Sequence, residues 1–197
     1  MSKLLKSIVS MAIAGAVSTS AVAADGTINF TGEIIAASCS ITGGTGATAG
    51  GNKGAQTIDI NLGKISTDSI SGASGGGVAG GKNINLNLDC GTTAKGLTSV
   101  KLQFDPANGS GVDLKNGSLL KTTGTAKGVA IGLYDSNNKL LNLAANETIN
   151  GALTSSGEGT DAKYTAKLDL RAGYVANGEA VAAGTANGTL PFTLTYE

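Results

Sequence analysis

The apolar residues of this chain fall on alternate positions in short runs. At the C-terminal end Leu190, Phe192, Leu194 and Tyr196 alternate with Thr189, Pro191, Thr193 and Thr195, which predicts a strand with one buried and one wet face. The longest alternation runs from Tyr164 through Ala166, Leu168, Leu170 and Ala172 to Tyr174, with Thr165, Lys167, Asp169 and Arg171 opposite. Shorter runs predict strands over residues 56–62 (Ile58, Ile60 and Leu62 inward), 83–88 (Ile84, Leu86, Leu88), 100–104 (Val100, Leu102, Phe104) and 129–133 (Val129, Ile131, Leu133). Turn chemistry separates them, at Asp105-Pro106 and at Asp135-Ser136-Asn137-Asn138-Lys139. Residues 42–54 and 72–81 are rich in glycine and carry no apolar rhythm, so they read as loops. Short alternating strands without an amphipathic helix predict an all-β, antiparallel sandwich.

The last strand matters most for function. It reaches Tyr196, one residue before the end of the sequence, so no following hairpin supplies a partner for its outer edge. An exposed apolar edge strand is a template for another chain.

The start of the chain carries an address. Lys3 and Lys6 precede an apolar run broken by Ser10, and Ala21-Val22-Ala23 presents small residues at cleavage positions. This is the three-part pattern of a secretory signal, too short in its apolar part to span a bilayer. Residues 1–23 therefore form a signal peptide, with cleavage after Ala23 or Ala24. Beyond it Gly26, Ile28, Phe30 and Gly32 share one face of a strand, and the phase slips at Ile34-Ile35. The slip marks a bend, or a boundary between strands with different tasks. One reading makes this segment an ordinary first strand paired with the chain's own last strand; the other sends it into a different molecule.

Composition narrows the chemistry. Without the two lysines of the signal, 12 basic residues face 14 acidic ones, so there is no basic field for nucleic acid or anionic lipid. The chain contains no histidine, which removes Ser-His and Cys-His catalysis and most zinc sites. Gly76 to Gly81-Lys82 imitates part of a phosphate-binding loop, but Asn83 stands where Ser or Thr belongs and a strand follows where a helix is required. The turn at Asp135 lacks the glycine and distal glutamate of a calcium loop. No enzyme activity, metal or cofactor is expected. Cys39 and Cys90 are the two cysteines, and in an exported chain they predict one disulfide.

These features together resemble a subunit of chaperone–usher fimbriae, the type 1 and P pilin family. The residues that carry the likeness are Ala24-Asp25-Gly26-Thr27-Ile28-Asn29-Phe30-Thr31-Gly32 ahead of Cys39-Ser40-Ile41, Cys90 after an alternating strand, Gly184 upstream of the last strand, and the penultimate Tyr196. The stretch from Lys127 to Asp135 is also similar to the family's mid-domain strand. The resemblance implies an incomplete immunoglobulin-like sandwich, completed by a donor strand from another subunit. It implies three parts: the signal peptide, a donor-strand extension over residues 24–36, and a pilin domain over residues 37–197. Gly26, Ile28, Phe30 and Gly32 would be the inserting face. Gly184, Leu190, Phe192, Leu194 and Tyr196 would form the acceptor groove and the surface a chaperone recognises. The implied partners are neighbouring pilins, a periplasmic chaperone and an outer-membrane usher. The implied route runs through the periplasm to a surface fimbrium, with no direct membrane insertion. The chain is read as a shaft-building subunit; a tip adaptor or glycan-binding adhesin is the alternative. Two features depart from the pattern. Pro191 removes a donor from the last strand, and the two glycine-rich loops are longer than the sandwich needs.

Overall fold

The computed structural model describes residues 38–52, 55–71 and 77–197; the expected signal peptide and donor extension lie outside them. Eleven strands are present among the described residues. β1 (Ser40–Gly43), β2 (Thr48–Asn52) and β3 (Ala55–Asp59) precede a short helix α1 (Thr67–Ser71). β4 (Ala79–Gly91) and β5 (Ser99–Phe104) follow, then β6 (Leu120–Lys121) and β7 (Val129–Asp135). β8 (Thr148–Ala152), β9 (Thr154–Ser156), β10 (Lys163–Ala176) and β11 (Phe192–Tyr196) complete the chain.

The strands form a sandwich in which every pairing is antiparallel. One sheet has the order β1-β4-β10-β7-β6, with β9 also on β10; the other has the order β11-β5-β8; β2 and β3 form a separate hairpin. The alternation seen in the sequence supplies the core: Ile84, Leu86, Leu88, Leu168 and Leu170 from the first sheet meet Val100, Leu102, Phe104 and Ile149 from the second. The polar positions of β4 and β10 face outward, where Asn85 donates to the Asp169 carboxylate at 2.6 Å. The disulfide joins Cys39 to Cys90 across a sequence separation of 51, locking β1 to β4 as the cysteine count predicted.

Several boundaries differ from the periodicity, each for a physical reason. The stretch 42–54 is not all loop, because β2 pairs with β3 from Thr48↔Asp59 to Asn52↔Ala55. Glycine-rich strands have no side-chain rhythm, so only their pairing reveals them. The second glycine-rich stretch ends inside a strand, since Ala79, Gly80 and Gly81 already belong to β4. Its glycines serve close approaches: Ile65 lies against Gly80 (φ +65) and the Arg171 guanidinium lies over Gly81. Val78 likewise fills the space above Gly173 of β10, helping to cover a small outer core of Leu119, Ala130, Tyr134 and Val175. That cover is why residues 129–134 of β7 are buried on both faces, where alternation predicted only one. The turn at Asp135 forms as read: its Oδ1 accepts from Asn137 N–H at 2.9 Å and Lys139 N–H at 2.8 Å, and Asn138 takes φ 60°.

Candidate functional site

A sandwich of two sheets has two seams, and here they are treated differently. At one seam the chain crosses between sheets: β8 ends at Ala152, and β9 then pairs with β10 at Thr154↔Thr165. The crossing covers that side. At the other seam stands β11, which pairs only with β5 among the described residues.

The hydrogen-bond register shows which way the groups on β11 point. Glu197 and Ser99 exchange both backbone bonds, at 2.9 and 3.0 Å, and Asp105 N–H donates to Pro191 C=O at 2.8 Å. In an antiparallel pair, bonded and non-bonded positions alternate. Thr193 and Thr195 therefore bond toward β5, and the N–H and C=O groups of Phe192, Leu194 and Tyr196 point away from it. The same parity extends upstream. Asn187 exchanges both bonds with Thr123 at 2.7 and 2.9 Å, and Thr189 C=O accepts from Ser110 N–H at 2.8 Å. Odd positions face inward, and even positions from Ala186 to Tyr196 form one continuous edge facing the seam. Pro191 sits at an odd position, so the donor it lacks would have faced Asp105. The outward ladder loses nothing.

Beside this edge lies a groove of about 1290 Å³. Residues 56–63 form the opposite wall, and Leu86, Leu102, Phe104, Leu133 and Leu170 are among the core side chains at its floor. Close-packed interiors hold few voids larger than a water molecule, and small-molecule pockets span roughly 300–1,000 Å³. An apolar trough of this size, edged by a backbone ladder that has no strand partner among the described residues, suits an extended polypeptide.

The structure brings most of the expected groove residues together. Leu190, Phe192, Leu194 and Tyr196 all line the trough, and all are half-buried against the main core. Gly184 does not line it. It lies against Thr125 and Ala126, where a Cβ would run into the Ala126 amide, so its smallness serves the pairing of residues 182–187 with 123–127. Gly188 and Gly63 line the trough instead; at Gly188 a Cβ would stand 2.9 Å from Leu120 Cδ2 and 3.0 Å from Ile131 Cδ1. Gly26, Ile28, Phe30 and Gly32 lie outside the described residues.

Sequence reasoning missed the second wall. Ile58, Ile60 and Leu62 alternate as an inward-facing strand would, yet the named strand stops at Asp59 and Ile60 is 37 % exposed. Their partner is the trough. Gln56 anchors this wall, its Oε1 accepting from Ile41 N–H at 3.1 Å.

Two tyrosine hydroxyls mark the ends. Tyr196 Oη accepts from Cys39 N–H at 3.1 Å, and Tyr174 Oη donates to Ala186 C=O at 2.8 Å. Burial raises the Tyr174 phenol above its ordinary value, so it keeps its proton at neutral pH. Among the described residues no group of His, Cys, Asp and Glu is placed to hold a metal.

Comparison with known proteins agrees with this architecture. The chain is 32% identical over 187 residues to long polar fimbria protein A of Salmonella typhimurium, covering 92% of this chain and 90% of that protein. It is 30% identical over 188 residues to the type-1 fimbrial protein subunit of Serratia marcescens, covering 94% of each. A chain from a solved chaperone–usher pilus superposes with a TM-score of 0.52 at 23% identity, over 88% of this chain and 96% of that one. That likeness shows the fold. The family model described as fimbrial protein matches residues 28–197, and the chain accordingly belongs to the fimbrial protein family as a structural, non-enzymatic pilus subunit that polymerises with other pilus subunits.

Proposed function

We propose that residues 24–36 of one copy insert as a strand into the trough of the next, between β11 and residues 56–63. The outward ladder from Gly188 to Tyr196, standing over an apolar trough, carries this reading. Strand addition to a sheet edge draws affinity from main-chain bonds and specificity from pockets for alternate side chains; chaperone–pilin complementation is a known instance of the mode. Ile28 and Phe30 on one face of the extension match an apolar floor, and each contributes roughly 1.5–3 kcal/mol when fully buried. Gly26 and Gly32 let the inserted backbone pass where the walls close in.

A chain that both offers an extension and holds a groove gives a head-to-tail contact. Such a contact does not close on itself and builds an open-ended filament, as a shaft subunit requires. Before assembly the same edge is an aggregation hazard, and a periplasmic chaperone occupies it while an outer-membrane usher feeds subunits to the surface fibre. Residues 1–23 direct the export that begins this route.

The test is deletion of residues 24–33. The truncated chain is expected to bind a synthetic peptide of residues 24–36 in its groove yet form no fibres in electron micrographs. Fibres of ordinary length from the truncated chain would refute the insertion.

A further inference from the structure

The edge that faces the trough begins at Ala186, but its first carbonyl is already in use. Tyr174 rises from β10 at the floor, and its hydroxyl donates to Ala186 C=O at 2.8 Å. Ala186 and Gly188 both line the trough, while the flanking Asn187 turns both its bonds to Thr123. The tyrosine oxygen therefore stands where the N–H of an incoming strand would have to stand. A carbonyl oxygen has a second lone pair, but the trough side of this one is filled by the phenol.

We infer that Tyr174 is a register stop for the inserted strand: its hydroxyl occupies the outermost acceptor of the edge and limits pairing to positions Gly188 to Tyr196. This rests on the insertion proposed above and specifies where it ends. The stop is local and rigid. Ala182 and Lys127 exchange both bonds at 3.0 and 3.2 Å, and Ala126 N–H donates to Thr185 C=O at 3.0 Å, so the Ala186 segment is held without help from Tyr174. Removing the hydroxyl should free an acceptor and leave the wall in place. Next to the stop, Gly188 leaves Leu120 and Ile131 open to the trough, so the last rung coincides with an apolar pocket. A strand that slipped past it would trade that pocket for a blocked carbonyl.

Fibres of the mature chain and of its Tyr174→Phe variant test this by hydrogen exchange read by mass spectrometry on residues 24–36. The variant is expected to protect one further backbone amide of that segment, with protection over residues 182–188 unchanged. A tyrosine with a merely structural role would give the reverse, loss over residues 182–188 and no gain in the segment. Equal protection of residues 24–36 in both fibres would overturn the stop and leave the insertion standing. Absence of protection there in both fibres would overturn the insertion and the stop together. Should Tyr174→Phe assemble poorly, Tyr174→Met supplies an unbranched side chain without the donor, and the same gain of one amide is expected.

Discussion

The backbone N–H of Cys39 donates to the hydroxyl of Tyr196 at 3.1 Å, across 157 positions of sequence. The contact ties the residue just before β1 to the end of β11, at the point where the Cys39–Cys90 disulfide begins. The end of the acceptor edge is thus referenced to a covalent crosslink, whereas its other end is referenced to Tyr174.

Tyr196→Phe should lower stability by about 1 kcal/mol, the net value of a typical hydrogen bond. Urea unfolding of the monomer is expected to show an earlier midpoint with an unchanged slope. A loss above about 3 kcal/mol would mean that the ring has lost its packing as well as its bond.

Opening the disulfide should cost more. Releasing the 51-residue separation between Cys39 and Cys90 removes about 4 kcal/mol in the chain-entropy account. The Cys39→Ser, Cys90→Ser double variant, unfolded in urea beside the oxidised chain, measures the difference.

Core and trough positions should respond differently to truncation. Leu168 is fully buried between the sheets, so Leu168→Ala is expected to cost about 2–5 kcal/mol of monomer stability. Leu194 is half-buried at the trough, so Leu194→Ala should cost the monomer less and slow fibre growth more. Denaturation midpoints together with light-scattering growth curves separate the two effects.

Pro191→Ala should leave assembly rates unchanged, because the new N–H points at Asp105 and not at the trough. Leu194→Pro removes a donor that faces the trough, and fibre growth should stop. Equal effects from both substitutions would contradict the register of β11 and β5.

The turn beyond β7 should loosen in acid. Glu147 is held below the ordinary carboxylate range by the Asn142 N–H and by Lys139, whose Nζ lies 2.9 Å from its Oε1. A lowered folded value means a contribution present above the ordinary glutamate range and lost as pH falls through the lowered one. Lys139 is raised by the same partner, so its share is present below the ordinary lysine range and lost as pH rises through the raised one. Protection factors of the 135–147 amides, taken against the intrinsic exchange rate at each pH, should fall toward acid, and Glu147→Gln should flatten that dependence.

Local pattern in the sequence determined the strand class, the inward residues of β4, β5, β10 and β11, the turn at Asp135, the cysteine pair and the apolar edge at the end of the chain. All of these follow from alternation, turn chemistry or residue counts, which are properties of neighbours in sequence. Only the tertiary structure decided which seam the described residues leave without a further strand, because that depends on β8 handing over to β9 in the other sheet. It alone placed residues 56–63 as the second wall, set Gly184 against Thr125 and Ala126 with Gly188 in the trough lining, and aimed the missing donor of Pro191 at Asp105. The physical reason is common to all four: pairing register and sheet order are set by bonds between residues far apart in sequence, such as Ser99 with Glu197. A one-residue change in such a register reverses the direction of every group along the edge.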